Sequence, residues 1–145
     1  MKNSAIRGFM MLILIAQLSC KDEISKMVFD ETNKDITGNW KVVQLTRNGE
    51  EIGKRMDLSG FYINFKNDGT YDLSEELPFV LNEEGNYTLS DPQYPFGIIL
   101  HPKGQTNTVP VKFQFPIVKG ERQLSLSFSL GCSTNTYQYQ FERQN

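Results

Sequence analysis

Few residues in this chain carry the chemistry of a reaction centre. There are two cysteines, Cys20 and Cys132, and one histidine, His101. Zinc sites draw on several His and Cys side chains at set spacings. His101 has no second histidine and no Cys/His pair beside it, so it offers no ligand set. A nucleophilic thiol needs a neighbouring base and partial exposure. Cys132 instead follows the alternation of LSLSFSL, through Leu130, towards the apolar side, which predicts a buried and inert thiol. The acidic pairs Glu50-Glu51, Glu75-Glu76 and Glu83-Glu84 could in principle flank a glycosidic bond, a chemistry that needs two carboxylates about 5–9.5 Å apart. Three pairs in polar loops read more simply as solubility charge. There is no P-loop, no dinucleotide-binding glycine pattern and no GxSxG. The expectation is a protein that is not an enzyme and needs no metal or cofactor.

The remaining thiol carries the strongest chemical signal. Lys2 and Arg7 form a short positive stretch, and Phe9–Leu18 is apolar apart from Gln17. A transmembrane helix needs about 20 apolar residues, so this run is too short to span a bilayer. It fits the ~7–15-residue core of a secretory signal. Leu18-Ser19-Cys20 resembles the lipobox of bacterial lipoproteins. That resemblance implies cleavage before Cys20 and acylation of its thiol. Two acyl chains make anchoring stable where one does not. The alternative is a soluble secreted protein with Cys20 free. Lys21-Asp22-Glu23 resembles the surface-export signals of some Gram-negative lipoproteins. The organisation expected is a signal peptide over 1–19, a lipidated Cys20 with a polar tether over 20–36, and one domain over 37–145. Its place would be the outer membrane, lipid-anchored and facing the cell surface.

Composition narrows the partners. The 145 residues carry a net charge of −2, and loss of residues 1–19 removes Lys2 and Arg7. No basic stripe survives, which argues against nucleic acid. A mature chain of this length forms one domain with a real core.

Those residues must be positioned by strands, because nearly everything after Ile36 alternates. Phe61, Ile63 and Phe65 oppose Tyr62, Asn64 and Lys66. Leu124, Leu126, Phe128 and Leu130 oppose Ser125, Ser127 and Ser129. Val109, Val111, Phe113 and Phe115 oppose Pro110, Lys112, Gln114 and Pro116, and Tyr137, Tyr139 and Phe141 oppose Gln138, Gln140 and Glu142. Period two with one polar face marks half-buried antiparallel strands. Asn67-Asp68-Gly69 and Lys119-Gly120 predict tight hairpins, and Asn48-Gly49, Gly85-Asn86 and Asp91-Pro92 mark further turns. Eight strands are predicted near 40–46, 60–66, 69–75, 85–90, 96–101, 108–117, 121–130 and 135–143. Phe79–Leu81 is a candidate ninth, and a turn of helix fits Lys54–Leu58. The fold class is all-β, as a small up-and-down antiparallel barrel, which removes exposed edges. A two-sheet sandwich is the alternative.

Gly38-Asn39-Trp40, Phe65-Lys66-Asn67-Asp68-Gly69-Thr70-Tyr71 and Tyr137-Gln138-Tyr139-Gln140-Phe141, in that order and spacing, make residues 36–143 similar to the lipocalin-like domain of small Gram-negative lipoproteins. The resemblance implies that Trp40 plugs the closed end of the barrel and that an arginine stacks on it. Strand parity points the same way. With an even number of antiparallel strands, the first begins where the last ends, so Trp40 should lie near Arg143. A stacked pair of this kind contributes about 0.5–2 kcal/mol.

Parity also sorts the loops. The tight turns at 66–70, 91–95 and 118–121 share the terminal end, and 47–59, 76–84, 102–107 and 131–134 form a mouth facing away from the anchor. Loops held on a rigid scaffold carry function. The candidates for binding are Arg47, Lys54, Arg55, Phe79, His101, Lys103, Ser133 and Asn135. Eight strands enclose an interior that side chains fill or that holds one small ligand. The inferred inward set, half of it aromatic, fills most of that space. Two roles follow: a binding module for a small apolar or amphipathic ligand at the mouth, or a protein-interaction module with a filled barrel.

Overall fold

A computed structural model describes residues 32–129 and 134–144. The chain divides into two compact units, residues 1–31 and 32–145, and every described residue belongs to the second. Cys20, Cys132 and Ser133 lie outside the described residues.

The strands are β1 (Gly38–Arg47), β2 (Glu50–Glu51), β3 (Tyr62–Phe65), β4 (Thr70–Leu73), β5 (Gly85–Leu89), β6 (Gly97–Pro102), β7 (Val109–Gln114), β8 (Ile117–Val118), β9 (Glu121–Ser129) and β10 (Thr136–Gln144), with one 3₁₀ turn at Gly53–Arg55. Pairing runs β10-β1-β3-β4-β5-β6-β7-β9, and β10 pairs back onto β9. Every pairing is antiparallel, so eight strands close into a barrel. β2 and β8 are short arms on β1 and β9. Both arms fold back through two-residue turns with positive φ at each position, Asn48 (52°) and Gly49 (83°), Lys119 (53°) and Gly120 (88°). That geometry matches the right-handed twist of the flanking strands.

Alternation puts the expected residues inside. Ile63, Phe65, Tyr71, Ile98, Leu100, Val111, Phe113, Leu124, Leu126, Phe128, Tyr137, Tyr139 and Phe141 are buried in one cluster, with Phe61, Leu73, Tyr87, Leu89 and Phe115 packed against it. A ladder of rings runs along β9 and β10. Phe128 stacks on Tyr137 (5.5 Å) and Tyr139 (6.0 Å), and Tyr139 on Phe141 (6.0 Å).

Three expectations need correction. Phe79–Leu81 is not a ninth strand; a single bridge joins Leu77 to Leu81 and closes a tight loop. Gly85-Asn86 is not a turn, because both residues are paired in β5 with Pro102 and His101 of β6. The predicted 108–117 strand breaks after Gln114, where Phe115 and Pro116 separate β7 from β8. Proline lacks the N–H a continuous ladder needs.

At the base of the barrel, Trp40 and Arg143 are direct partners across β1 and β10. The Arg143 guanidinium lies 4.9 Å over the fully buried Trp40 ring. Arg143 Nη2 donates to the Thr37 carbonyl at 2.8 Å, and the Trp40 indole N–H donates to the Ile36 carbonyl at 2.7 Å. These bonds hold residues 32–37 as a strap under the barrel. Ile36 is buried, and the Lys34 amide donates to the Pro92 carbonyl at 2.7 Å in the β5–β6 turn. β5 and β6 lie across the barrel from β1 in the pairing order, so the strap crosses the base.

Candidate functional site

The opposite end is covered by the Leu77–Leu81 loop. Leu77 and Leu81 are only 2% and 3% exposed and belong to the core cluster. The Val80 and Leu81 amides both donate to the Leu77 carbonyl, at 3.1 Å each. The Tyr139 hydroxyl reaches up from inside the barrel and donates to the Pro78 carbonyl. Phe79, with φ of 70°, turns outward at the tip of this loop. Its ring stacks on Tyr137 at 4.6 Å and remains 47% exposed. Apolar Leu77 and Leu81 thus plug the mouth, while Phe79 extends the inner ring ladder onto the surface.

Three candidates from the sequence meet there. Arg47 ends β1, and Asn135 immediately precedes β10 beside it. Arg47 Nε and Nη2 donate to Asn135 Oδ1 at 3.0 and 2.7 Å. The guanidinium lies 5.8 Å from the Tyr137 ring centre. Asn48 accepts from the Thr136 amide through Oδ1 at 2.9 Å, and its own amide donates to the Thr136 carbonyl at 2.8 Å. Phe79, Arg47 and Asn135 therefore meet at one pre-organised surface, an exposed ring and a held guanidinium seated on the buried Tyr137 ring.

The other candidates stand apart. Lys54 and Arg55 are exposed on the 3₁₀ turn, and Lys54 borders a cleft of about 300 Å³ with Val43, Gln44 and Glu51. His101 and Lys103 border a cleft of about 520 Å³ between β4 and β5, with Lys66, Thr70, Asp72, Glu84 and Asn86. Its charges are paired internally: Lys66 with Asp72 at 2.7 Å and Lys103 with Glu84 at 3.1 Å. Sequence reasoning overlooked Leu77 and Leu81 as mouth residues. The available signal was the apolar run Leu77-Pro78-Phe79-Val80-Leu81 between two acidic pairs.

Two interior hydroxyls couple this end of the barrel to pH. Burial, with a smaller contribution from Glu83, pushes Tyr71 up from an ordinary value of 10.0 to about 12. Burial, with Tyr137, pushes Tyr139 up as well. The folded chain therefore keeps protons that the unfolded chain releases. Their stabilisation is complete below about pH 10 and is lost as pH rises through the raised values. Ionised Tyr139 can no longer donate to Pro78. Far-ultraviolet circular dichroism and tyrosinate absorbance, followed together above pH 10, should show loss of structure and late ionisation as one transition. Two interior hydroxyls ionising at the ordinary value with the barrel intact would contradict this.

These features define a small all-β protein whose closed antiparallel barrel is covered at both ends and carries an aromatic–arginine surface at one of them. The chain belongs to the family described as "Domain of unknown function (DUF5004)", whose match spans residues 16–142. No curated protein and no solved structure matches it.

Proposed function

We propose that the chain is an outer-membrane lipoprotein, anchored by acyl chains on Cys20, whose lipocalin-like barrel works as a protein-interaction module facing the cell surface. Its role is binding, not catalysis. One observation carries this reading: the mouth is plugged by Leu77 and Leu81, while Phe79 and Arg47 are presented at the surface, each against the buried Tyr137 ring. Aromatic and arginine side chains dominate the energetics of protein interfaces, most of all when held in place before binding. The family match begins at residue 16 and so includes Cys20.

A second reading keeps the barrel as a carrier of a small apolar or amphipathic ligand. It is favoured by the Tyr71 hydroxyl, which is buried and has no hydrogen-bond partner among the described residues. Buried polar groups are ordinarily satisfied. That role requires the Leu77–Leu81 loop to leave the mouth.

Affinity capture of the native lipoprotein from outer membranes separates the two. A partner should copurify with the parent chain. Its affinity for F79A or R47A should be about thirtyfold weaker, the equivalent of about 2 kcal/mol. A bound small molecule in native mass spectrometry, with no partner, would replace the first reading by the second.

A further inference from the structure

The base carries apolar side chains that the core does not use. Phe96 is 75% exposed and Ile117 61%, with Tyr94 and Val118 also exposed. Tyr94 and Phe96 lie in the turn that enters β6, and Ile117 and Val118 form β8 beside β9. β6, β7 and β9 are successive in the barrel, and the Phe113 amide donates to the Phe96 carbonyl at 3.1 Å, so these residues share one side of the base. An apolar rim of this kind, ringed by polar groups, marks an interaction surface.

The strap indicates which surface. Coming from Cys20, the described chain begins at Thr32 and is pinned to the β5–β6 turn by the Lys34–Pro92 bond, two residues from Tyr94. Residues 32–35 then border a cleft of about 460 Å³ with Phe115, Glu121, Arg122 and Arg143. Only residues 21–31 separate Cys20 from Thr32, a reach of at most about 40 Å when fully extended. The end at which the chain leaves the domain towards Cys20 is the end that exposes the rim. Lys112, Lys119 and Arg122 flank it, with Glu121 and Asp91 as the acidic neighbours, the Asp91 carboxylate accepting from the Tyr94 amide at 2.7 Å. Aromatic side chains favour the headgroup level, and basic ones favour anionic lipid.

We infer that Phe96 and Ile117, with Tyr94 and Val118, form a bilayer-contacting rim that seats the barrel base in the headgroup region of the anchoring membrane. This rests on the Cys20 anchor proposed above, and the test separates the two. The chain from Cys20 onward, carrying C132S, is coupled through Cys20 to a maleimide phospholipid in vesicles of phosphatidylethanolamine and phosphatidylglycerol with brominated acyl chains. The synthetic link replaces native acylation, which is checked independently by mass spectrometry of the protein from cells. Reporter tryptophans are introduced singly as F96W, I117W and, at the opposite end, F79W. Trp40, being fully buried, supplies a constant background. Positions 96 and 117 should show blue-shifted, bromine-quenched emission, and position 79 neither. Absence of quenching at 96 and 117 on vesicle-bound protein would overturn the rim and leave the anchor standing. An unacylated Cys20 in cells would overturn the anchor and leave the rim to its own result. A blue shift before vesicles are added, together with dimerisation, would assign the surface to a second copy and also overturn the inference.

Discussion

Replacement of Trp40 by alanine should destabilise the barrel by about 3–5 kcal/mol, the range for deleting a large buried aromatic side chain. Three structures depend on this ring. It fills the base with no exposed surface and meets Phe115 edge-on at 5.8 Å. Its indole N–H holds the strap through the Ile36 carbonyl. Its face receives Arg143, which also binds the Thr37 carbonyl. Truncation leaves a cavity, an unheld Ile36 and a guanidinium without its platform. Arg143→Ala removes only the last of these and should cost about 1–2 kcal/mol. Denaturant midpoints for the two variants should differ in that order. A Trp40→Ala loss no larger than that of Arg143→Ala would mean that the base is organised by something other than the indole.

The second large effect is expected at Gly85, where alanine should cost about 3 kcal/mol and loosen β5 from β6. A Cβ at this position would lie 2.0 Å from the His101 carbonyl oxygen, 2.8 Å from its carbon and 2.9 Å from the Pro102 Cα. These are backbone atoms, so no side-chain rotation relieves the overlap. Gly49→Ala is the contrasting case. Nothing lies within 4 Å of its Cβ position, and the only penalty comes from φ of 83°, about 1–2 kcal/mol. Hydrogen exchange should report faster amides along β5 and β6 in the first variant alone. Equal exchange in both would show that β5 and β6 shift to accommodate the methyl and that the close approach at Gly85 is not required.

The period-two pattern made most of the barrel legible. LSLSFSL placed Leu124, Leu126 and Phe128 inside without help from any neighbour, and parity alone brought Trp40 to Arg143. Where alternation failed, backbone irregularity was the cause. The β1 register shifts between Val42 and Gln44, so Val42 and Leu45 both point inward although three positions apart, and no strict alternation reveals them. The five-residue apolar run at Leu77–Leu81 has the length of a short strand, and periodicity cannot distinguish a strand from a plug. Gly85 carries a turn residue's identity but is there for strand contact.

The site was legible in part for a related reason. Parity tells which end of the barrel a loop occupies and says nothing of its position around the rim. Arg47 and Asn135 meet because the strands that carry them, first and last in the chain, are neighbours. His101 and Lys103 share that end, yet β6 lies on the opposite wall.

The placement of β10 between β1 and β9 has a kinetic consequence. Two of the longest ladders in the molecule, β10 with β1 and β10 with β9, need residues 136–144. A chain still emerging from a ribosome has the other strands available but keeps two open edges until residues 136–144 are free. The β10–β1 ladder joins residues as distant in sequence as Asn39 and Gln144, and pairing of such large separation forms slowly. Completion of the barrel is therefore tied to release of β10, and a polypeptide arrested short of it stays open to chaperones, proteases and edge-to-edge association.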